Sequence, residues 1–166
     1  MTPRAPSLDA PATPGTTDTG GLLAEVERAI TRMMRQATRP AFYRALMAAA
    51  GTQLDRAEYA VMLRIAEGAP LRVTQLADVL GIDISTVSRQ VRELEKGGLV
   101  ERSGDPDDQR ASQLRLTDEG QHVLNRVLAA RQESMRNLLD GWSREDQVRL
   151  TRLVGRLADR MEMVGQ

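Results

Sequence analysis

Between residues 83 and 100 the chain reads DISTVSRQVRELEKGGLV. Ile84, Val87, Val91 and Leu94 recur at steps of three and four, which lines them along one stripe of a helix. The other side carries Ser85, Ser88, Arg89, Arg92 and Lys96, none of them a residue that a core accepts. Just upstream, VTQLADVLG predicts a short helix capped by Thr74, buried through Leu76, Ala77 and Leu80, and closed by Gly81. The second helix is capped by Asp83 or Ser85 and stops at Gly97-Gly98. Two short helices joined by a tight turn make a helix-turn-helix, and the second can present its outer face to a DNA major groove. Such pairs also occur as plain structure, so the motif alone leaves both uses open.

The segment after the two glycines narrows the choice. LVERSGDPDDQRASQLRLT alternates at its ends, with Leu114 and Leu116 inward and Gln113 and Arg115 outward, and its middle is dense in turn formers. It predicts a β-hairpin, and a hairpin directly after a helix-turn-helix is a wing. Arg110 near its tip suits a narrow minor groove, where A·T tracts attract a guanidinium. Asp107 and Asp108 repel phosphate unless one of them holds Arg110 in place. A solvated loop with an incidental ion pair is the plainer reading of this segment taken by itself.

From LADVLG through TVSRQVRELEKGGLV to DPDDQR and LRLTDEG, the chain closely resembles the MarR family of winged-helix bacterial transcription regulators. The quoted runs stand where the family's recognition helix and wing signatures lie. The motif-bearing match covers about residues 74–120, and the helical layout on both sides fits the remainder except the tail. The resemblance implies a homodimer on a palindromic operator in double-stranded DNA, and a repressor rather than an activator. Within that frame Arg89 and Arg92 are assigned to base or phosphate contacts, and Ser85, Thr86 and Ser88 to hydrogen bonds with bases or backbone. Thr74, at a helix N-terminus, helps place a phosphate. Asp108 steadies Arg110 in the minor groove. The resemblance further implies a small, often phenolic or anionic, effector between the dimerisation helices and the winged helix, although no residue identifies it. Two departures bear on which operator is read. Many members carry an acidic residue at position 92 and a basic one at 93, where this chain has Arg92 and Glu93, and Gln109 stands where arginine is common.

The rest of the chain sets the frame: mostly α, with a small β-hairpin wing, a winged helix-turn-helix plus a helical dimerisation region. Residues 1–21 are Pro-, Thr- and Gly-rich with almost no apolar content, which predicts a disordered tail. Residues 22–50 carry a helical pattern with Pro40 at a bend or break, and are assigned as an N-terminal dimerisation helix. The winged helix-turn-helix occupies 51–116 and opens with LDRAEY, where Asp55 and Glu58 can form a capping box. In 117–166 two further helices, the second begun by Ser143 and Asp146, carry more apolar face than a winged helix of this size covers. Intertwining with a partner's copies and with 22–50 buries the surplus; an intramolecular three-helix layer is the alternative.

Composition removes other classes. Aromatic residues are 2% of the chain, so Leu, Val, Met and Ala fill its interior, and zero cysteines exclude disulfides, thiolate metal sites and thiol sensors. No apolar run approaches 18 residues, and no basic-then-apolar leader opens the chain, so a cytoplasmic protein with no membrane partner is expected. The single histidine, His122, falls inside a predicted helix as a surface or interface residue. With no nucleophile elbow, phosphate loop or ligand cluster, neither an enzyme nor a cofactor or metal is expected. Net charge is zero, 23 basic against 23 acidic residues. Placement of charge must therefore carry any argument for DNA. It also leaves a second reading, a winged-helix protein-interaction scaffold without specific DNA binding.

Overall fold

Pro40 opens a helix rather than bending one, which suits a residue whose missing N–H costs nothing in a first turn. The computed structural model describes residues 19–67, 71–104 and 112–164, and the chain divides after Arg39 into two units. The first holds α1, Thr19–Ala37. It begins three residues inside the stretch that composition assigns to the tail. The rest of that stretch, 1–18, lies outside the described residues. No residue of α1 is buried, although Leu22, Leu23, Val26, Met33 and Met34 recur at helical spacing.

The second unit runs α2 (Pro40–Ala49), α3 (Arg56–Glu67), α4 (Val73–Leu80), α5 (Ile84–Lys96), β1 (Val100–Gly104), β2 (Ser112–Leu116), α6 (Asp118–Leu138) and α7 (Arg144–Val164). Its core is drawn from almost every element: Met47 of α2; Val61, Met62 and Ile65 of α3; Leu76 and Ala77 of α4; Val87, Val91 and Leu94 of α5; Val100 and Leu114 of the hairpin; Val123, Leu124 and Val127 of α6. Each large aliphatic taken out of water contributes about 1.5–3 kcal/mol before entropy is counted. Thus α2 and the first half of α6, both assigned from sequence to dimerisation segments, also close the winged-helix core. Two arginines of α6 reinforce this: Arg126 Nε donates to the Ala50 carbonyl at 3.1 Å, and Arg131 Nη1 to the Tyr59 hydroxyl at 2.6 Å.

Local signals set most helix boundaries. Asp55 and Glu58 exchange the two bonds of a capping box, each 2.8 Å. Gly81 ends α4 at φ 65, in the left-handed region that a side chain disfavours. Thr117 caps α6 by accepting from Gly120 N–H, while its own hydroxyl donates to the Gly98 carbonyl at 2.6 Å. Gly120 is needed for a different reason: a Cβ there would sit 1.9 Å from the Leu99 carbonyl oxygen, so only glycine lets α6 approach the end of the α5–β1 turn.

The two strands pair antiparallel from Val100 against Leu116 to Gly104 against Ser112. Leu71, which precedes α4, adds an isolated bridge to Leu114, donated by Leu114 N–H at 2.9 Å. The hairpin thereby gains a third line of backbone pairing on the side nearest α4.

No described side chain of α7 is buried. Val148, Leu153, Val154, Leu157 and Met161 are all exposed. Among the described residues no helix is long and apolar enough to cross a membrane.

Candidate nucleic-acid interface

The candidate surface is built on α5, whose two faces are separated by burial. Val87 and Val91 are fully buried and Leu94 is 1% exposed, with Gln90 on the same flank. Ser85, Arg89, Arg92, Glu93 and Lys96 are exposed, while Thr86 and Ser88 are half-buried at the edges. The periodicity places Ile84 on the inner stripe, yet it is 51% exposed. It is the first residue of α5, and helical side chains lean toward the N-terminus, so this one projects past the helix end instead of onto the core.

Asp83 is the residue that fixes the start of this helix. Its carboxylate accepts from Thr86 N–H at 2.9 Å, from Thr86 Oγ1 at 2.6 Å and from the Ser85 hydroxyl. The Ser85 and Thr86 hydroxyls, followed by the Thr86 amide, hold the Asp83 carboxyl well below the usual carboxylate range. Of the two caps that the sequence allows, Asp83 is the one used. Of the three α5 hydroxyls expected to face DNA, those of Ser85 and Thr86 therefore have their protons committed to Asp83, leaving oxygens that can only accept. Further along, Lys96 Nζ lies 2.8 Å from Glu93 Oε1, and this contact lowers the Glu93 pKa, with help from Arg92 and Arg89. Glu93 thus tempers a face that would otherwise hold three adjacent cations.

Thr74 does not cap α4. The N-cap is Arg72, whose backbone N–H donates to the Gln75 side chain at 2.8 Å, and the helix begins at Val73. That bond carries the start one residue upstream of the threonine. Thr74 is exposed in the first turn, where the helix leaves its backbone N–H groups without intrahelical acceptors. Asp108 and Arg110, together with the rest of the wing tip, lie outside the described residues.

A contact that sequence reasoning missed ties the wing to α5. Arg102 Nε of β1 lies 2.8 Å from Glu95 Oε1, and Arg102 Nη1 donates to Ser112 Oγ of β2 at 3.3 Å. One guanidinium thus bridges the recognition helix and both strands of the hairpin.

This arrangement can be set beside known proteins. The model of the MarR family matches residues 54–112, which run from the turn before α3 to the start of β2. Over 108 residues the chain is 34% identical to YxaD, an HTH-type transcriptional regulator of Bacillus subtilis, covering 65% of this chain and 73% of the relative. The chain belongs to the MarR family. It is a DNA-binding transcriptional regulator and not an enzyme. It is also 34% identical over 92 residues to the HTH-type transcriptional regulator PecS of Dickeya dadantii, covering 54% of this chain and 55% of PecS. The fold is shared with a MarR family protein from Bacillus stearothermophilus, at TM-score 0.71 and 22% identity over 89% of this chain and 99% of that one. A probable transcriptional regulator from Pseudomonas aeruginosa is 34% identical at TM-score 0.56, covering 80% and 98%. In MarR-family terms α4 and α5 are the helix-turn-helix, α5 is the recognition helix, and β1 and β2 form the wing.

Proposed function

We propose that this regulator binds a palindromic operator as a homodimer, laying α5 of each copy in the major groove, and acts as a repressor released by a small ligand. The observation that carries the DNA contact is the outward face of α5, where Ser85, Arg89, Arg92 and Lys96 stand exposed over a fully packed inner face. Arg89 and Arg92 are the base or phosphate contacts, Ser85, Thr86 and Ser88 hydrogen-bond bases or backbone, the first two as acceptors, and Thr74 places a phosphate at the start of α4. Arg110, held by Asp108, reaches the minor groove.

The dimer is supported by what the chain leaves uncovered. The exposed apolar residues of α7 and Met135 and Leu138 at the end of α6 are the composition of a protein interface, not of a solvated surface. The stripe of α1 is of the same kind. Release is supported by an open cleft of about 970 Å³ between α2 and the start of α3, whose lining includes Tyr43, Arg44, Met47 and Arg56. A phenolic or anionic effector suits two guanidiniums beside an aromatic ring and an apolar floor.

Enriching genomic fragments on the wild-type protein and on the Arg89→Ala, Arg92→Ala double variant tests the reading. A small set of fragments retained only by the wild type is expected. Equal retention of all fragments by both proteins would remove α5 from recognition and favour the interaction-scaffold reading.

A further inference from the structure

The first turn of α5 combines two features that the arginines do not explain. Ile84 is 51% exposed at the leading end of the helix, and in the turn before it Ile82 is 41% exposed. Beside Ile84, the exposed Ser85 gives its hydroxyl proton to Asp83. The Ser85 oxygen is therefore an acceptor with no proton to offer. Thr86 Oγ1 is engaged in the same way, at 2.6 Å from the other carboxylate oxygen. An ionised carboxylate backing two acceptors repels phosphate oxygens and the acceptor edge of guanine, and it favours a donor.

In the major groove only adenine N6 and cytosine N4 present donors, and only thymine presents a methyl group. The base pair that offers a donor and a methyl together is A·T. Resting on the reading that α5 enters the major groove, we infer that the first turn of α5 reads an A·T pair in each half-site. Ser85 Oγ accepts from the adenine N6 amino group, and Ile84 packs on the thymine C5 methyl. Arg89 and Arg92, farther along the same face, are left for guanine O6 and N7 or for phosphate. The apolar residue that defeats the periodic reading of the helix is a specificity element.

The test uses the full chain and an operator duplex enriched by it from a random-sequence library. Each thymine is replaced in turn by deoxyuridine, which removes the methyl and nothing else, and each adenine by purine deoxyriboside, which removes the amino group. One thymine per half-site is expected whose replacement weakens binding about fourfold, the worth of one buried methyl group. The same replacement should leave the affinity of Ile84→Ala unchanged, and loss of the amino group from its partner adenine should leave Ser85→Ala unchanged. The inference is overturned if every uracil is silent with the wild type, or if Ile84→Ala still senses the uracil in full. The wild-type scan needs no variant, so a poorly folded Ile84→Ala cannot rescue it. If the enriched duplex binds no better than its scrambled counterpart, the DNA-recognition reading falls and takes this inference with it. If the duplex is preferred and the analogues alone are silent, only the inference falls.

Discussion

The two helices α5 and α7 are both amphipathic, and the chain treats them in opposite ways. In α5 the apolar stripe of Val87, Val91 and Leu94 is buried and the polar stripe faces out. In α7 the apolar stripe of Val148, Leu153, Val154, Leu157 and Met161 faces out. Burial inside one chain thus covers the stripe of α5 after Ile84 and is missing at the C-terminal helix. An outward polar face with two exposed arginines suits an anionic polymer. An outward aliphatic face of this length would remain in water at a cost of about 25 cal/mol for each Å². It suits a second copy. In the proposed function, the contrast separates the group that touches DNA from the group that sets how two such groups are spaced.

The contrast is broken most severely by charging α7. Leu153→Asp together with Leu157→Asp should give a monomer by sedimentation. Its operator binding should fall toward the non-specific level, a loss of roughly 10³-fold or more. Next comes the inner face of α5. Leu94 is 1% exposed, and Leu94→Ala should lower unfolding free energy by about 2–5 kcal/mol in urea titration. The outer face is gentler on the fold and selective for the ligand. Arg92→Ala should leave the melting temperature in place and weaken operator binding by about 1–3 kcal/mol if it contacts a base. Should it contact phosphate instead, the loss will be similar on all sequences and the salt slope shallower by about one.

The smallest effect lies away from both helices. Tyr43 donates to the Asp55 carbonyl at 2.8 Å, and burial, then Asp55, push its phenol up to about 12. Because the folded value lies above the ordinary one, the neutral phenol's stabilisation is fully present below about pH 10. It is lost as pH rises through about 12. Tyr43→Phe should cost about 0.5–1.5 kcal/mol at neutral pH and flatten that alkaline limb in pH-dependent denaturation.

Much of the fold is readable in the sequence where the physics is local. The capping box of Asp55 and Glu58, the left-handed Gly81, the Asp83 cap and the hairpin after Gly97-Gly98 depend on residues within a turn or two of one another. Periodicity also finds the inner stripe of α5 but misplaces Ile84, because a repeat assigns angle and ignores that a first residue has no preceding turn to lie over. Thr74 reads as a cap and is not one, because Gln75 satisfies the amide of Arg72. Contacts between distant positions leave no mark in the sequence. Nothing in it joins Glu95 to Arg102, Leu71 to Leu114, or Gly120 to the Leu99 carbonyl. The same holds for α2 and α6, whose patterns fit either a dimer layer or the core that they help to close. Exposure of the apolar face of α7 needs coordinates, whereas its presence does not.

Phasing of the operator tests the division of labour between the two helices most directly. A twofold dimer presents both recognition helices to one face of the duplex, with half-sites about one helical turn, roughly 34–36 Å, apart. Inserting five base pairs between the half-sites turns one of them to the opposite face. The wild-type protein should then bind at its non-specific level, with the steep salt dependence of phosphate contacts alone. Full affinity for the lengthened operator would show that the two copies of α5 are not held together by the helices around them, and would contradict the account.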